Sequence, residues 1–499
     1  MTIVLLTVIR RRRMYRLLIR ELKEIVQITD RPDVEFLKGT DMAKIKVLND
    51  AGNGLAVLVA ADGTIAAVGK EKEVRAVLGD HTVEKTLATN GGILLPGFVD
   101  GHSHPVFAGD RVHEFAMKLA GATYMEVSTK DNIHSVQAAG GGIHFTTSKT
   151  REASEEYLLE EFKKIALTML RNGTTTLEAK SGYGLDTESE LKMLRVLSRV
   201  PEETSLEISA TFCGAHAVPK GSTEEEHVKL ICDEMLPAIE KARAAGQLKN
   251  LENIDAFCEK NKMLMLVYFR KKILEAGKKL GLAANFHAEE LSCIGGAEMG
   301  ASVGARAMSH LEEISDDGIK AMAASGTTAV LLPSTAFILR LTPPPARKMI
   351  ERGVIVALGS DFNPNAYCLA MPMIMHLGED LGEMEIFAHT ESTNSQKCSS
   401  SMRVHATKYG RGNHGSYVEF RSFARKRANP WSDHSWQERR LRRAGFQCQL
   451  LEAHNIQDGR SGHGDFACGE GGTSRSSIEM IAFSATIARL RIPPICITY

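Results

Sequence analysis

Eight short apolar runs, each leading into a helix-like pattern, constrain this chain more than any other feature. They are Gly97–Asp100, Thr174–Ala179, Leu206–Phe212, Asn253–Phe257, Ala283–Phe286, Arg306–Ser309, Thr327–Leu332 and Val354–Leu358. Their near-continuous apolar character is that of strands covered on both faces, as in parallel sheets flanked by helices. Between them, Leu158, Phe162, Ile165 and Met169, then Leu191, Leu194 and Leu197, keep the three-to-four spacing of a helix face. Eight such units predict an α/β fold, a closed parallel (β/α)8 barrel of the TIM type over residues 95–377.

A barrel of this kind does its chemistry at the C-terminal ends of its strands, so the residues after each run carry the functional reading. In order they are His102 and His104, Lys180 and Tyr183, His216, Cys258 and Glu259, His287 and Glu290, His310, Ser334 and Thr335, and Asp361. His102 and His104 are one residue apart at a strand end, where side chains i and i+2 point to one side. Either imidazole alone reads equally well as a satisfied polar residue. Together with His287 from the fifth strand and Asp361 from the eighth, they form a nitrogen and oxygen set suited to Zn2+ or iron, with a coordination position left for water.

Composition narrows the class. The chain has 499 residues, 43% of them hydrophobic, and a formal net charge of zero, which gives no electrostatic reason to expect nucleic acid. Its nine cysteines form no C-x-x-C pair, so neither a disulfide framework nor a cysteine zinc site is indicated. The opening apolar run, Met1–Ile9, is too short to span a membrane, and Arg10–Arg13 follow it instead of preceding it as in a signal peptide. A cytoplasmic enzyme acting on a small molecule, with no membrane partner, is the expectation.

The stretches LPGFVDGHSHPVFAGDRVHEFAMKLAGATYMEV, QAAGGGIHFT, GTTTLEAKSGYGLDTESELKMLRV, CGAHAVP, NFHAEEL, SHLEEIS and LGSDFNPNAYC resemble the metal-dependent amidohydrolase superfamily, and within it the cyclic-amide hydrolases of histidine degradation. The resemblance runs from about Leu95 to His376. It implies one metal per chain, Zn2+ with Fe3+ as the alternative, on His102, His104, His287 and Asp361. It also implies substrate contacts at Arg111, Tyr183, His216, Glu290 and Asn363, and it admits a homodimer. The implied reaction opens the ring of 4-imidazolone-5-propanoate; the alternatives are another amidohydrolase acting on a cyclic amide or amino-heterocycle, a catalytically impaired variant, and a non-enzymatic scaffold.

Chemistry agrees with these roles. Arg111 can fork onto a carboxylate. Glu290, three residues past His287, reaches the site as general base if a helix begins there. Asp361 can both ligate and carry a proton, and His310 and His216 are donors for a developing oxyanion. Lys180 follows the second strand, not the fourth where a metal-bridging carbamylated lysine is expected, so an ion pair with Glu178 or Asp186 is its expected role.

Outside the barrel, residues 1–94 hold an N-terminal extension and strands that the resemblance assigns to a small flanking β-sandwich. Leu55–Val59 and Ile65–Val68 flank the Asp62-Gly63 turn of a hairpin. From about Gly378 the pattern changes: residues 378–499 lose periodicity, yet hold both tryptophans and four of the nine cysteines. This tail is expected to be disordered or mistranslated, leaving the sandwich without closing strands from the chain's end. Residues 128–136 read as an insertion, and 261–269 depart from the family pattern.

Overall fold

In Met14–Leu22 (β1) successive side chains alternate across the strand, so Leu17 and Ile19 face one way and Leu18 the other. Leu55–Ala60 (β4) repeats the device with Leu55, Val57 and Val59 against Ala56 and Leu58. The set containing Leu17 packs with Ile25 and Leu94 from a second sheet, and the set containing Leu18 packs under the helix Glu71–Leu78 through Val74. Between them lie Glu24–Ile28 (β2) and Lys46–Asn49 (β3), followed by Ile65–Lys70 (β5), Thr82–Ala88 (β6) and Ile93–Pro96 (β7). The strands form two four-stranded sheets, β5-β4-β1-β6 and one built on β7-β2-β3. The hairpin β4–β5 turns at Asp62-Gly63, with Gly63 at φ +91° and Asp62 accepting from the backbone of Thr64.

This computed structural model describes residues 14–31, 33–112, 114, 116, 142–259 and 267–380, and the backbone of 495–498. The insertion read at 128–136, most of 261–269 and the tail from 381 to 494 lie outside the described residues. One expectation about the tail is corrected. Ile495–Thr498 (β16) pairs antiparallel with β7, Ile495 opposite Pro96 and Thr498 opposite Ile93, so a strand from the chain's end does join the sandwich. The signal is short and local: Ile495-Cys-Ile-Thr498 is a β-favouring run hidden in an aperiodic stretch.

All eight predicted strands are present and all pair in parallel. They are Phe98–Asp100 (β8), Thr174–Lys180 (β9), Glu207–Ala215 (β10), Leu251–Ala256 (β11), Ala283–Ala288 (β12), Ala307–His310 (β13), Thr328–Leu331 (β14) and Ile355–Leu358 (β15). The ring is drawn shut between β15 and β8 by Gly101 N–H to Leu358 O at 3.0 Å, Asp361 N–H to His102 O at 2.9 Å and His104 N–H to Phe362 O at 2.7 Å. Gly359 permits this approach, since a Cβ there would lie 2.9 Å from the backbone nitrogen of His102.

Of the predicted helix faces, Leu158, Phe162, Ile165 and Met169 on Glu155–Arg171 and Leu194 and Leu197 on Thr187–Glu203 are buried, and Leu191 is half-buried against the same core. Each helix has its N-terminal cap: Ser154 accepts from Tyr157 N–H, and Asp186 from Ser189 N–H. Val26 and Leu95, on the faces of β2 and β7 opposite Ile25 and Leu94, join the barrel's core cluster. The sandwich is thereby fastened to the barrel.

Candidate active site

His102, His104, His287 and Asp361 meet as expected. His102 is fully buried, with Nδ1 2.7 Å from Ser309 Oγ on β13 and Nε2 without a partner. His104 Nε2 stands 3.2 Å from His287 Nε2, and Asp361 Oδ1 lies 3.5 Å from His102 Nε2 and 3.7 Å from His104 Nε2. Asp361 takes φ +46°, and its other oxygen accepts from Thr335 Oγ1 at 2.5 Å. The chain therefore spends backbone strain to hold this carboxylate.

The donor set fits a metal. Burial holds the pKa of His102, His104 and His287 below the ordinary histidine value, so their nitrogens are neutral. With His104 Nε2 and His287 Nε2 3.2 Å apart, His102 Nε2 and His104 Nδ1 are buried nitrogens without a hydrogen-bond partner, and a cation at the cluster would relieve the first. Two ligands of a tetrahedral ion, each at about 2.0–2.1 Å, stand roughly 3.3 Å apart, close to the spacings seen.

A second cluster adjoins the first. Glu290 Oε2 lies 3.8 Å from His310 Nε2, and Glu312 Oε2 lies 3.7 Å from His310 Nδ1. Burial pushes the Glu290 carboxyl up to about 8. For His310 burial works against the charge, but Glu290 and Glu312 outweigh it and raise the ring to about 10. His216 is the opposite case: burial lowers it to about 3, and its Nδ1 pairs with Gly182 O at 3.0 Å. The two histidines that sequence left equivalent are thus a charged donor and a neutral ring.

Glu290 arrives by a route the sequence did not suggest. No helix begins at His287; the next one is Gly296–Ser302, and Glu289 at φ +54° turns the chain so that Glu290 points back to the site. His310, at φ +78°, is aimed by a similar reversal at the end of β13.

These groups line one cleft of about 510 Å³ with Arg111, Tyr183, Phe257 and Asn363. Arg111 is 6% exposed, its Nε donating to Glu114 Oε2 at 2.9 Å and its Nη2 at 2.5 Å. Glu114 also accepts from Gly142 N–H at 2.7 Å, tying this loop to the helix Gly142–Glu152. Tyr183 lies against the His216 ring, centroids 5.2 Å apart. Asn363 caps its own loop, Nδ2 donating to Asp361 O and Oδ1 accepting from Asn365 and Ala366 N–H. Nine of the ten expected site residues line the cleft, and His102 sits behind it.

Lys180 makes the expected ion pair with Glu178 and not with Asp186. It is fully buried, with Nζ 2.8 Å from both Glu178 Oε1 and Asp255 Oδ2, whereas Asp186 caps its helix and pairs with Arg151. Asp255 was missed in the sequence, as were Ser309, Glu114 and Glu312. A carboxylate between Ile254 and Ala256 in a buried strand was the available signal, because an ion there needs a partner. That partner is a pair, His287 and Lys180; burial opposes the Asp255 charge, and they outweigh it.

Comparison with known proteins identifies the family. Residues 93–394 match the amidohydrolase family. A "Probable imidazolonepropionase" of Nematostella vectensis is 50% identical over 73% of this chain and 82% of its own, and one of Mus musculus is 50% identical over 73% and 81%. An E. coli guanine deaminase shares the fold at a TM-score of 0.51, with 14% identity over 74% of this chain and 78% of that one. Identity at that level over most of both chains decides the matter: the chain belongs to the amidohydrolase family, among the imidazolonepropionases.

Proposed function

We infer that the chain hydrolyses the ring amide of 4-imidazolone-5-propanoate to N-formimidoyl-L-glutamate. The observation that carries this reading is one buried cleft with a guanidinium, Arg111, and the cluster of His104, His287 and Asp361 both in its wall. An anionic tail and a ring carbonyl are the two features such a cleft selects. An aminohydrolase of uncharged heterocycles needs the cluster but not Arg111.

In this reading His102, His104, His287 and Asp361 hold one ion, Zn2+ or alternatively Fe3+, both of which suit imidazole and carboxylate donors. When bound, the ion supplies Lewis-acid polarisation and acidifies water. Glu290, in its ionised form, takes the proton of the attacking water, and burial gives that carboxylate its high proton affinity. The water oxygen bonds to the ring carbonyl carbon, and His310, held as imidazolium, donates to the oxygen that becomes negative. Asp361 takes the remaining hydroxyl proton of the tetrahedral intermediate and passes it to the ring nitrogen as the carbon–nitrogen bond breaks, leaving the product carboxylate, and the proton on Glu290 returns to solvent. Arg111 receives the propanoate, and Tyr183 and His216 bracket the ring. Asn363 holds the Asp361 loop as well as facing the substrate.

The same reading sets the enzyme in the cytoplasm. It is supported by the free thiols of the five cysteines among the described residues. Among the described residues no helix is long and apolar enough to cross a membrane.

The test is turnover by the purified chain on 4-imidazolone-5-propanoate beside cyclic amides and amino-heterocycles that lack a carboxylate. Ring opening confined to the propanoate is expected. Ammonia release from an amino-heterocycle, with no action on the propanoate, would replace this reading by that of an aminohydrolase.

A further inference from the structure

The reaction leaves three buried charged side chains unused, and they lead to His287. Glu178, Lys180, Asp255 and His287 run in a row across β9, β11 and β12 beneath the cleft. Burying an ammonium is costly unless it is paired, and Lys180 is paired twice, at 2.8 Å on each side. Asp255 is pinned at both oxygens: Oδ1 accepts the His287 backbone N–H at 3.0 Å, and Oδ2 lies 2.8 Å from both Lys180 Nζ and His287 Nδ1.

A neutral imidazole carries one N–H and one lone pair. With Nδ1 against a carboxylate the proton belongs on Nδ1, and the lone pair is left on Nε2, the nitrogen that faces His104. Without Asp255, nothing on that side would choose between the two tautomers or fix the ring's rotation. Lys180, together with the His287 backbone N–H, fixes Asp255.

We propose that Asp255, anchored by Lys180, is a positioning residue that sets the tautomer and orientation of His287 so that Nε2 serves as the metal ligand. The proposal rests on His287 being a ligand, as inferred above. Its rival is a plain ion pair that holds three strands together.

Zn2+ affinity of the full chain, measured by chelator competition, separates the two. Asp255→Asn leaves Lys180 paired with Glu178, so the fold is expected to stand, and Zn2+ should bind about 10–100-fold more weakly. Should that variant fail to fold, Asp255→Ser, which leaves room for a water, serves with the same expectation. The visible absorption of Co2+-loaded protein should shift in the same variants, because it reads the ligand field and not the stability of the fold. In His287→Ala, the further change Asp255→Asn should cost no additional affinity. A folded Asp255 variant that binds Zn2+ within about twofold of the parent, with an unaltered Co2+ spectrum, overturns the proposal. Parental Zn2+ affinity in His287→Ala would instead overturn the reading of the metal centre.

Discussion

The sandwich and the barrel mouth use the same alternation of an extended chain for opposite ends. In the sandwich it sends nine aliphatic residues, among them Leu17, Val57 and Leu94, into one interior. At the mouth it sends His102, His104, His287 and Asp361 to one point, all buried and none satisfied as a hydrocarbon would be. The first region gains stability from every side chain it buries. The second gives some up, through desolvated ionisable groups and left-handed residues at Glu289, His310 and Asp361. What the mouth obtains is a set of donors that need not reorganise when substrate arrives.

Substitutions in the two regions should therefore fail differently. His287→Ala should have the largest effect, loss of the metal and a fall in kcat/KM of about 10³-fold or more, since the ion's Lewis acidity accounts for several kcal/mol of the barrier. Elemental analysis beside the rate decides it; an active His287→Ala enzyme would mean the mouth is not built around that ion. Glu290→Gln should keep the metal and lose roughly 10²–10⁴-fold in kcat, the usual worth of a general base. Arg111→Ala should lower kcat/KM for the propanoate by about 2–5 kcal/mol. An unchanged kcat/KM there would make the substrate assignment wrong while leaving the reaction class intact.

In the sandwich, Leu17→Ala should cost about 2–5 kcal/mol of stability, read by denaturant melts, and leave kcat/KM of the folded enzyme alone. If metal content fell with it, the two regions would not be independent. The smallest effect concerns pH. His227 lies outside the cleft, its Nε2 2.9 Å from Gly214 O, and burial holds it down to about 4. Its folded value is below its unfolded one near 6.5, so the unfolded state binds more protons in between. That stability is complete above about 6.5 and drains away as pH falls toward 4. Melting temperature should drop less over that range in His227→Gln than in the parent; equal drops would assign the acid sensitivity to the mouth alone.

Legibility followed the range of the interactions. Strand and helix identities rest on periodicities within a dozen residues, and the eight strands and the faces of Glu155–Arg171 and Thr187–Glu203 could be read directly. That His102, His104, His287 and Asp361 would meet was readable because a barrel sends every strand tip to the same end. β16 was missed because four β-favouring residues weigh little against more than a hundred aperiodic ones before them.

The sequence alone determined the barrel, its hairpin neighbour and the types of side chain at each tip, because those follow from local pattern and a closed topology. Only the tertiary structure decided how those side chains are held and charged. Asp255 meets His287 across 32 residues, Thr335 meets Asp361 across 26, and Ser309 meets His102 across 207. Glu290 reaches the site through a left-handed Glu289 and not through a helix. His216 and His310, identical as letters, are set apart because burial prevails at His216 and holds it low, whereas Glu290 with Glu312 outweigh burial at His310. A proton affinity is a property of surroundings, and surroundings built from distant strands exist only once the barrel has closed.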